Sequence, residues 1–192
     1  MIKFLFWNIR GISRAPNLRR LKSLIAESSL QLVAICEPKV CVGDIQWIRL
    51  NLRMDRCITN SEGSIWVFYP NSLVCDHLGE SSQHLSLNIQ SPMVDGPMVF
   101  SFVHAKCNEQ DRRSLWSMLL LDNPIDAPWF LVGDFNVIVS EEEKRGGLPF
   151  RLGEGLDFIC FMASARVRDA GFSGSKFTWC NNRGGVRVFG RG

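Results

Sequence analysis

At 192 residues, 46% hydrophobic and 10% aromatic, the chain has ample material for a sizeable core and does not have the composition of a disordered segment. Its formal net charge of +3 permits an anionic partner without specifying one. Seven cysteines, an odd number with no C-x-x-C pair, argue against a disulfide framework. Several lie inside apolar runs such as V-A-I-C, where cysteine behaves as a small hydrophobe, so a reducing, intracellular setting is expected.

The opening M-I-K-F-L-F-W-N-I-R is too short an apolar run for a signal-peptide core, and no run reaches membrane-spanning length. The expectation is a soluble chain with no membrane partner and no evident obligate protein partner. A nuclear location is compatible with it, although no clear targeting signal is present.

In chain order, residues 2–7 form an apolar, aromatic strand. A helix starts near Asn17 with Leu18, Leu21 and Ile25 on one face. Residues 32–36 are a short buried strand, and Ile45, Ile48 and Leu52 mark a shorter helix. Residues 64–69 and 73–75 read as strands parted by Pro70-Asn71. Leu85, Leu87 and Ile89 alternate with Ser86, Asn88 and Gln90, the pattern of a half-buried strand. Residues 98–103 are another strand. A helix over residues 112–121 follows, with Leu115, Trp116 and Leu119 inward and Arg112 and Arg113 toward solvent. Residues 129–132 form a strand, 156–165 a helix, and 177–180 and 186–189 late strands. Consecutive strands in the middle imply antiparallel pairing, while the flanking units imply helix-covered sheet. The expected fold class is therefore α/β, a sandwich of two sheets, rather than a Rossmann fold.

Three buried runs end in oxygen-bearing side chains. F-L-F-W-N delivers Asn8, L-V-A-I-C-E delivers Glu37, and F-L-V-G-D-F-N delivers Asp134 and Asn136. If these strands share a sheet edge, the four side chains meet where open α/β sheets bind ligands. Carboxylate and carbonyl oxygens suit a hard cation such as Mg²⁺. The competing account is that each is a helix cap or turn former. His104-x-x-Cys107 could be half a zinc site, but no second half has suitable spacing. G-F-S-G-S is not a nucleophile elbow, because Gly174 falls one position early, and no P-loop is present.

Taken in order, F-W-N-I-R-G, A-I-C-E-P-K, F-L-V-G-D-F-N-V-I, E-K-R-G-G and F-T-W-C-N resemble the endonuclease/exonuclease/phosphatase family. The resemblance is to the apurinic-type endonuclease domain of plant LINE-type (non-LTR) retrotransposons, and it covers essentially all 192 residues as a single domain. It implies Mg²⁺-dependent (or Mn²⁺-dependent) cutting of a phosphodiester in nucleic acid, with DNA as the expected partner. Glu37 matches the family's metal-binding glutamate and Asn8 the asparagine beside it. Asp134 matches the aspartate that positions or deprotonates the attacking water. Asn136 matches the asparagine that steadies that aspartate and the phosphate. His104 stands where the family usually has tyrosine, and a histidine there can still hydrogen-bond a phosphate oxygen, with a strand-end residue without a role as the alternative.

Arg10 and Lys39 follow motif residues and are candidates to meet phosphates, with solvated surface charge as the alternative. Trp179 is a candidate to stack on sugar or base, with burial as the alternative. The family also carries R-L-D and S-D-H motifs near its C-terminus, and neither occurs here. A domain truncated at its C-terminus, lacking its last strands and impaired in catalysis, is therefore expected. Two other functions remain open. One is a catalytically dead remnant or weak nucleic-acid-binding module, and the other a phosphatase of the same superfamily acting on inositol phosphates or phospholipids.

Overall fold

The computed structural model describes residues 2–146, 148–175, 177, 179–180 and 189–190. The chain divides into two compact units. The first comprises Met1–His104 and Pro124–Gly133, the second Ala105–Asn123 and Asp134–Gly192.

The first unit opens with β1 (Phe4–Asn8), α1 (Ala15–Ser28) and β2 (Leu32–Cys36). β1 and β2 pair in parallel, Phe4 opposite Leu32 through Asn8 opposite Cys36. A parallel pair needs a crossover, and α1 supplies it. A proline in its first turn presets the helical φ, and Ser29 ends it in the left-handed conformation at φ 51°. Then come α2 (Ile45–Leu52), β3 (Arg56–Thr59) and β4 (Ile65–Tyr69), giving a sheet of order β1-β2-β4-β3 with β4 antiparallel to both neighbours. β3 escapes the sequence pattern because R-C-I-T offers only two apolar residues.

The second sheet has the order β5-β6-β7-β8, from β5 (Val74–Ser81), β6 (His84–Ser91), β7 (Val94–His104) and β8 (Trp129–Asp134). β5, β6 and β7 form an antiparallel meander. The Val99 amide donates to the Pro128 carbonyl and the Ala105 amide to that of Asp134, so the register advances together along both chains and β8 runs parallel to β7. The strands predicted over residues 98–103 and 129–132 thus lie in one sheet.

The two sheets face each other across one apolar layer. Ala34, Cys36, Ile65 and Val67 come from the first sheet, and Leu85, Leu87, Ile89, Phe100 and Phe102 from the second. This is the α/β sandwich that the sequence pattern predicts. The other face of the first sheet packs Val33, Ile35, Trp66 and Phe68 against Leu21 of α1 and Ile48 and Leu52 of α2. Burial on both faces is why β2 and β4 read as unbroken apolar runs, L-V-A-I-C and I-W-V-F-Y.

β6 follows the half-buried expectation at Asn88, which is part-buried, and Gln90, which is exposed, but not at its start, where His84 and Ser86 are as buried as the leucines beside them. The Ser86 hydroxyl pairs with that of Ser101 at 2.7 Å, and the Trp129 indole donates to Ser101 Oγ at 2.9 Å. At Ser86 the polar position of the alternation is therefore hydrogen-bonded rather than solvated.

The second unit contains α3 (Glu109–Leu121), β9 (Lys144–Arg145), α4 (Leu156–Ala165), β10 (Trp179–Cys180) and β11 (Phe189–Gly190). The three short strands pair in the order β10-β11-β9. Of the two late strands expected from sequence, Phe177 lies outside any strand and residues 178 and 186–188 lie outside the described residues. Asn108 caps α3 by accepting from the Gln110 amide. Trp116 of α3 stacks among Phe135, Phe158 and Phe161 and donates its indole N–H to Asp157 at 2.7 Å. Among the described residues no helix is long and apolar enough to cross a membrane.

One glycine is dictated by close approach. A Cβ on Gly133 would lie 2.0 Å from the Val103 carbonyl oxygen, which is backbone and cannot swing aside. Gly133→Ala should therefore force β8 from its place beside β7, at a cost of about 1–3 kcal/mol or more. Denaturant unfolding of the variant checks this, and unchanged stability would contradict the packing described.

Candidate active site

The parallel pairing of β1 and β2 does not stop where the strands end. The amides of Ile9, Gly11 and Ile12 donate to the carbonyls of Cys36, Glu37 and Pro38 at 2.9–3.1 Å. The two segments after the strands therefore lie side by side, W-N-I-R-G against C-E-P-K. Ile9 and Ile12 anchor the first segment in the core. Asn17, at the start of α1, donates from its amide to the carbonyls of both Ile9 and Gly11.

This arrangement brings four of the predicted residues together. Asn8 Nδ2 donates to Glu37 Oε1 at 3.1 Å, and His104 Nε2 lies 3.6 Å from the same oxygen. Lys39 Nζ stands 3.0 Å from Glu37 Oε2. Burial alone would push the Glu37 carboxyl upward. Hydrogen bonds from Lys39 and Asn8, with the charges of Lys39 and His104, outweigh it and hold the group below the ordinary glutamate value. Glu37 is therefore ionised at neutral pH. Arg10 is exposed, and only the strand position of Trp179 is described, its side chain lying outside the described set.

Backbone conformation singles out the same residues. Among the described residues, seven non-glycine residues have positive φ. Ser29, Arg53 and Arg166 end α1, α2 and α4, where a left-handed residue satisfies orphan carbonyls. The other four are Arg10, Glu37, Lys39 and Asn136, at φ 47–52°. Each conformation costs on the order of 1–3 kcal/mol, and such strain gathers at functional sites.

The second unit holds Asp134 and Asn136 in a tight turn. The Asn136 amide N–H donates to Asp134 Oδ1 at 3.2 Å, and its side-chain Nδ2 donates to the Ala105 carbonyl at 2.7 Å. Arg112 corrects the solvent-facing expectation. It is 4% exposed, and one guanidinium nitrogen donates to the carbonyls of Lys106, Cys107 and Asn136. A buried guanidinium spent on three carbonyls fixes the turn that presents Asp134.

Asn60 is the other residue that the sequence pattern does not expose. It is 1% exposed, accepts from the amides of Ser64 and Ile65, and donates to Ser64 Oγ and the Ser81 carbonyl. The Ser64 carbonyl receives the Glu37 amide, and the Gln83 carbonyl receives the His104 amide. Asn60 thus ties the β3–β4 turn, which holds Glu37, to the β5–β6 turn, which holds His104. In N-S-E-G-S it resembles any turn-forming asparagine.

Among the described residues no three His, Cys, Asp or Glu side chains gather into a cage for a metal. The donor set is one ionised carboxylate beside an asparagine amide. That fits Mg²⁺, which keeps several waters and uses one or two carboxylates together with substrate phosphates.

No protein-family model and no curated protein matches the sequence. Solved structures do match the fold. The endonuclease domain of TRAS1, a telomere-specific non-LTR retrotransposon, superposes with a TM-score of 0.70 at 13% identity, covering 100% of this chain and 82% of that one. D. rerio TDP2 complexed with a single-strand DNA product gives 0.63 at 14% identity, with 98% and 82% covered. An endonuclease/exonuclease/phosphatase family protein from Bacteroides thetaiotaomicron gives 0.53 at 12%, with 76% and 70% covered. The fold is that of endonuclease/exonuclease/phosphatase structures, as the resemblance implied.

Two outcomes follow from the geometry. Asn60→Ala leaves the Ser64 and Ile65 amides without their acceptor, so unfolding should become easier by about 1–3 kcal/mol or more. Chemical denaturation reads this directly, and a change within about 0.5 kcal/mol would contradict the linking role. The second outcome concerns acid. The Glu37 carboxyl is held below its unfolded value of about 4.3, so its pairing contributes stability above that pH and loses it as pH falls through the depressed folded value. The stability gap between wild type and Glu37→Gln should accordingly narrow as pH falls below the unfolded value of about 4.3, and a gap independent of pH would count against the pairing.

Proposed function

We propose that the chain hydrolyses phosphodiester bonds in nucleic acid, acting as a divalent-metal-dependent endonuclease on DNA, with residues 1–192 working as one domain of plant LINE-type retrotransposon origin. The observation that carries this reading is the ionised Glu37 carboxylate, hydrogen-bonded by Asn8 on a strained backbone at the ends of paired strands. Glu37 and Asn8 would hold Mg²⁺ or Mn²⁺. When bound, such an ion supplies positive charge to the phosphate oxygens as the bond to the leaving oxygen breaks.

The remaining roles belong to the chain's own side chains. Asp134, its carboxylate held by the Asn136 amide, orients the attacking water and accepts its proton. Asn136, locked to the Ala105 carbonyl and backed by Arg112, keeps that carboxylate from rotating away. His104 donates to a phosphate oxygen. Arg10 and Lys39 position the nucleic-acid backbone without reading its sequence. Trp179 stacks on a sugar or base. The likeness in fold to a retrotransposon endonuclease domain and to TDP2 holding a DNA product supports nucleic acid as the substrate.

Supercoiled plasmid incubated with the protein and Mg²⁺ should be nicked, and a chelator should abolish the nicking. Asp134→Asn and Glu37→Gln should each slow it by roughly 10²–10⁴-fold while leaving the fold intact by circular dichroism. Nicking that survives the chelator, or that both variants retain, would overturn the proposal.

A further inference from the structure

We infer that Lys39 is a built-in occupant of the Glu37 carboxylate, its ammonium holding the oxygen that a divalent cation needs and yielding it when that cation binds. The inference rests on the reading of Glu37 as a metal ligand.

The two oxygens of Glu37 have different partners. Oε1 is engaged by the Asn8 amide at 3.1 Å and lies 3.6 Å from His104 Nε2. Both partners sit at strand ends, on backbone held by the neighbouring strand or turn. Oε2 meets the Lys39 ammonium at 3.0 Å, a partner different in kind. Lysine is a compact charge on a flexible four-carbon stem, so it can leave without moving the backbone. The Lys39 side chain is 57% exposed against 26% for Glu37, so the mobile member of the pair is the one facing water.

The backbone places Lys39 there deliberately. Glu37 and Lys39 are both left-handed, at φ 50° and 52°, on either side of Pro38, which is buried and whose carbonyl receives the Ile12 amide. Neither residue is a glycine, so neither adopts this conformation freely. A solvent-exposed ion pair is weak. It satisfies the carboxylate while no metal is bound, yet a doubly charged ion competes with it easily. Release then leaves the Lys39 ammonium beside the metal, available to a phosphate.

Calorimetric titration with Mn²⁺ of wild type, Lys39→Met, Lys39→Arg and Glu37→Gln tests the inference. Lys39→Met should bind about two- to fivefold more tightly than wild type, the size expected for removing one exposed competing charge. Lys39→Arg should return toward the wild-type value, and Glu37→Gln should lose the site. Equal affinity in wild type and Lys39→Met, with loss in Glu37→Gln, would overturn the inference and leave Glu37 as a metal ligand. Binding unaffected by Glu37→Gln would overturn both. A second readout uses the wild-type protein alone. The Lys39 ¹³Cε resonance, assigned by its absence from Lys39→Met, should move toward the position of an unpaired lysine as Mg²⁺ is added. A resonance that stays in place while Mg²⁺ binds would also overturn the inference.

Discussion

The site rests on one constraint, the parallel pairing of β1 and β2 carried past the ends of both strands. Parallel strands end at the same edge, so whatever follows each must leave side by side. Here the backbone bonds from Ile9, Gly11 and Ile12 to Cys36, Glu37 and Pro38 prevent the two segments from diverging. Holding them together requires left-handed backbone at Arg10, Glu37 and Lys39, each costing on the order of 1–3 kcal/mol. Burial of Ile9 and Ile12, worth about 1.5–3 kcal/mol apiece, offsets that cost together with the backbone bonds and the two donated by Asn17. The strain persists because the surroundings over-determine it. Loops of the same length without buried isoleucines would relax.

The apolar layer between the sheets supplies most of the driving force but little of the precision. Hydrophobic burial is non-directional, and a sandwich held only by Leu85, Leu87, Phe100 and their partners could slide by a fraction of a side chain. Hydrogen bonds set the angle and distance that the site needs. Asn60 spends its side chain on both turns at once, so the sheet edge bearing Glu37 and the edge bearing His104 are fixed together. A buried asparagine with all its bonds made gives up little stability and gains position. Arg112 does the same within the second unit, where three carbonyls share one guanidinium nitrogen.

What was legible in the sequence follows from this division. Buried runs such as L-V-A-I-C and I-W-V-F-Y announced their strands, and L-D-F-I-C-F-M-A-S-A announced α4 with both ends correct. The motif order announced the sandwich fold. The devices that hold the site were not legible, because each uses a residue type with an ordinary alternative role. Asn17 passes for a helix-start residue, Asn60 for a turn former and Arg112 for a solvated charge. Left-handed backbone usually declares itself as glycine, but Arg10, Glu37, Lys39 and Asn136 carry side chains and conceal it. Ser86 looked solvent-facing because pattern reading counts polarity and cannot see a hydroxyl that bonds another hydroxyl.

The pairing of a single carboxylate with a lysine also bears on how such a site would meet a polyanion. Without a cation, Glu37 and Lys39 form an electrically neutral pair, with little field to attract a phosphodiester. On the proposed reading, a divalent ion on Glu37 more than cancels the carboxylate, and the released Lys39 adds its own charge. The pair then turns net positive only when it is loaded. Two carboxylates would bind the ion more tightly but leave the loaded site close to neutral, weakening its hold on substrate. One carboxylate with a displaceable lysine trades metal affinity for positive charge where a phosphate must sit. That favours a metal which arrives with, or is completed by, the phosphate oxygens of the nucleic acid itself.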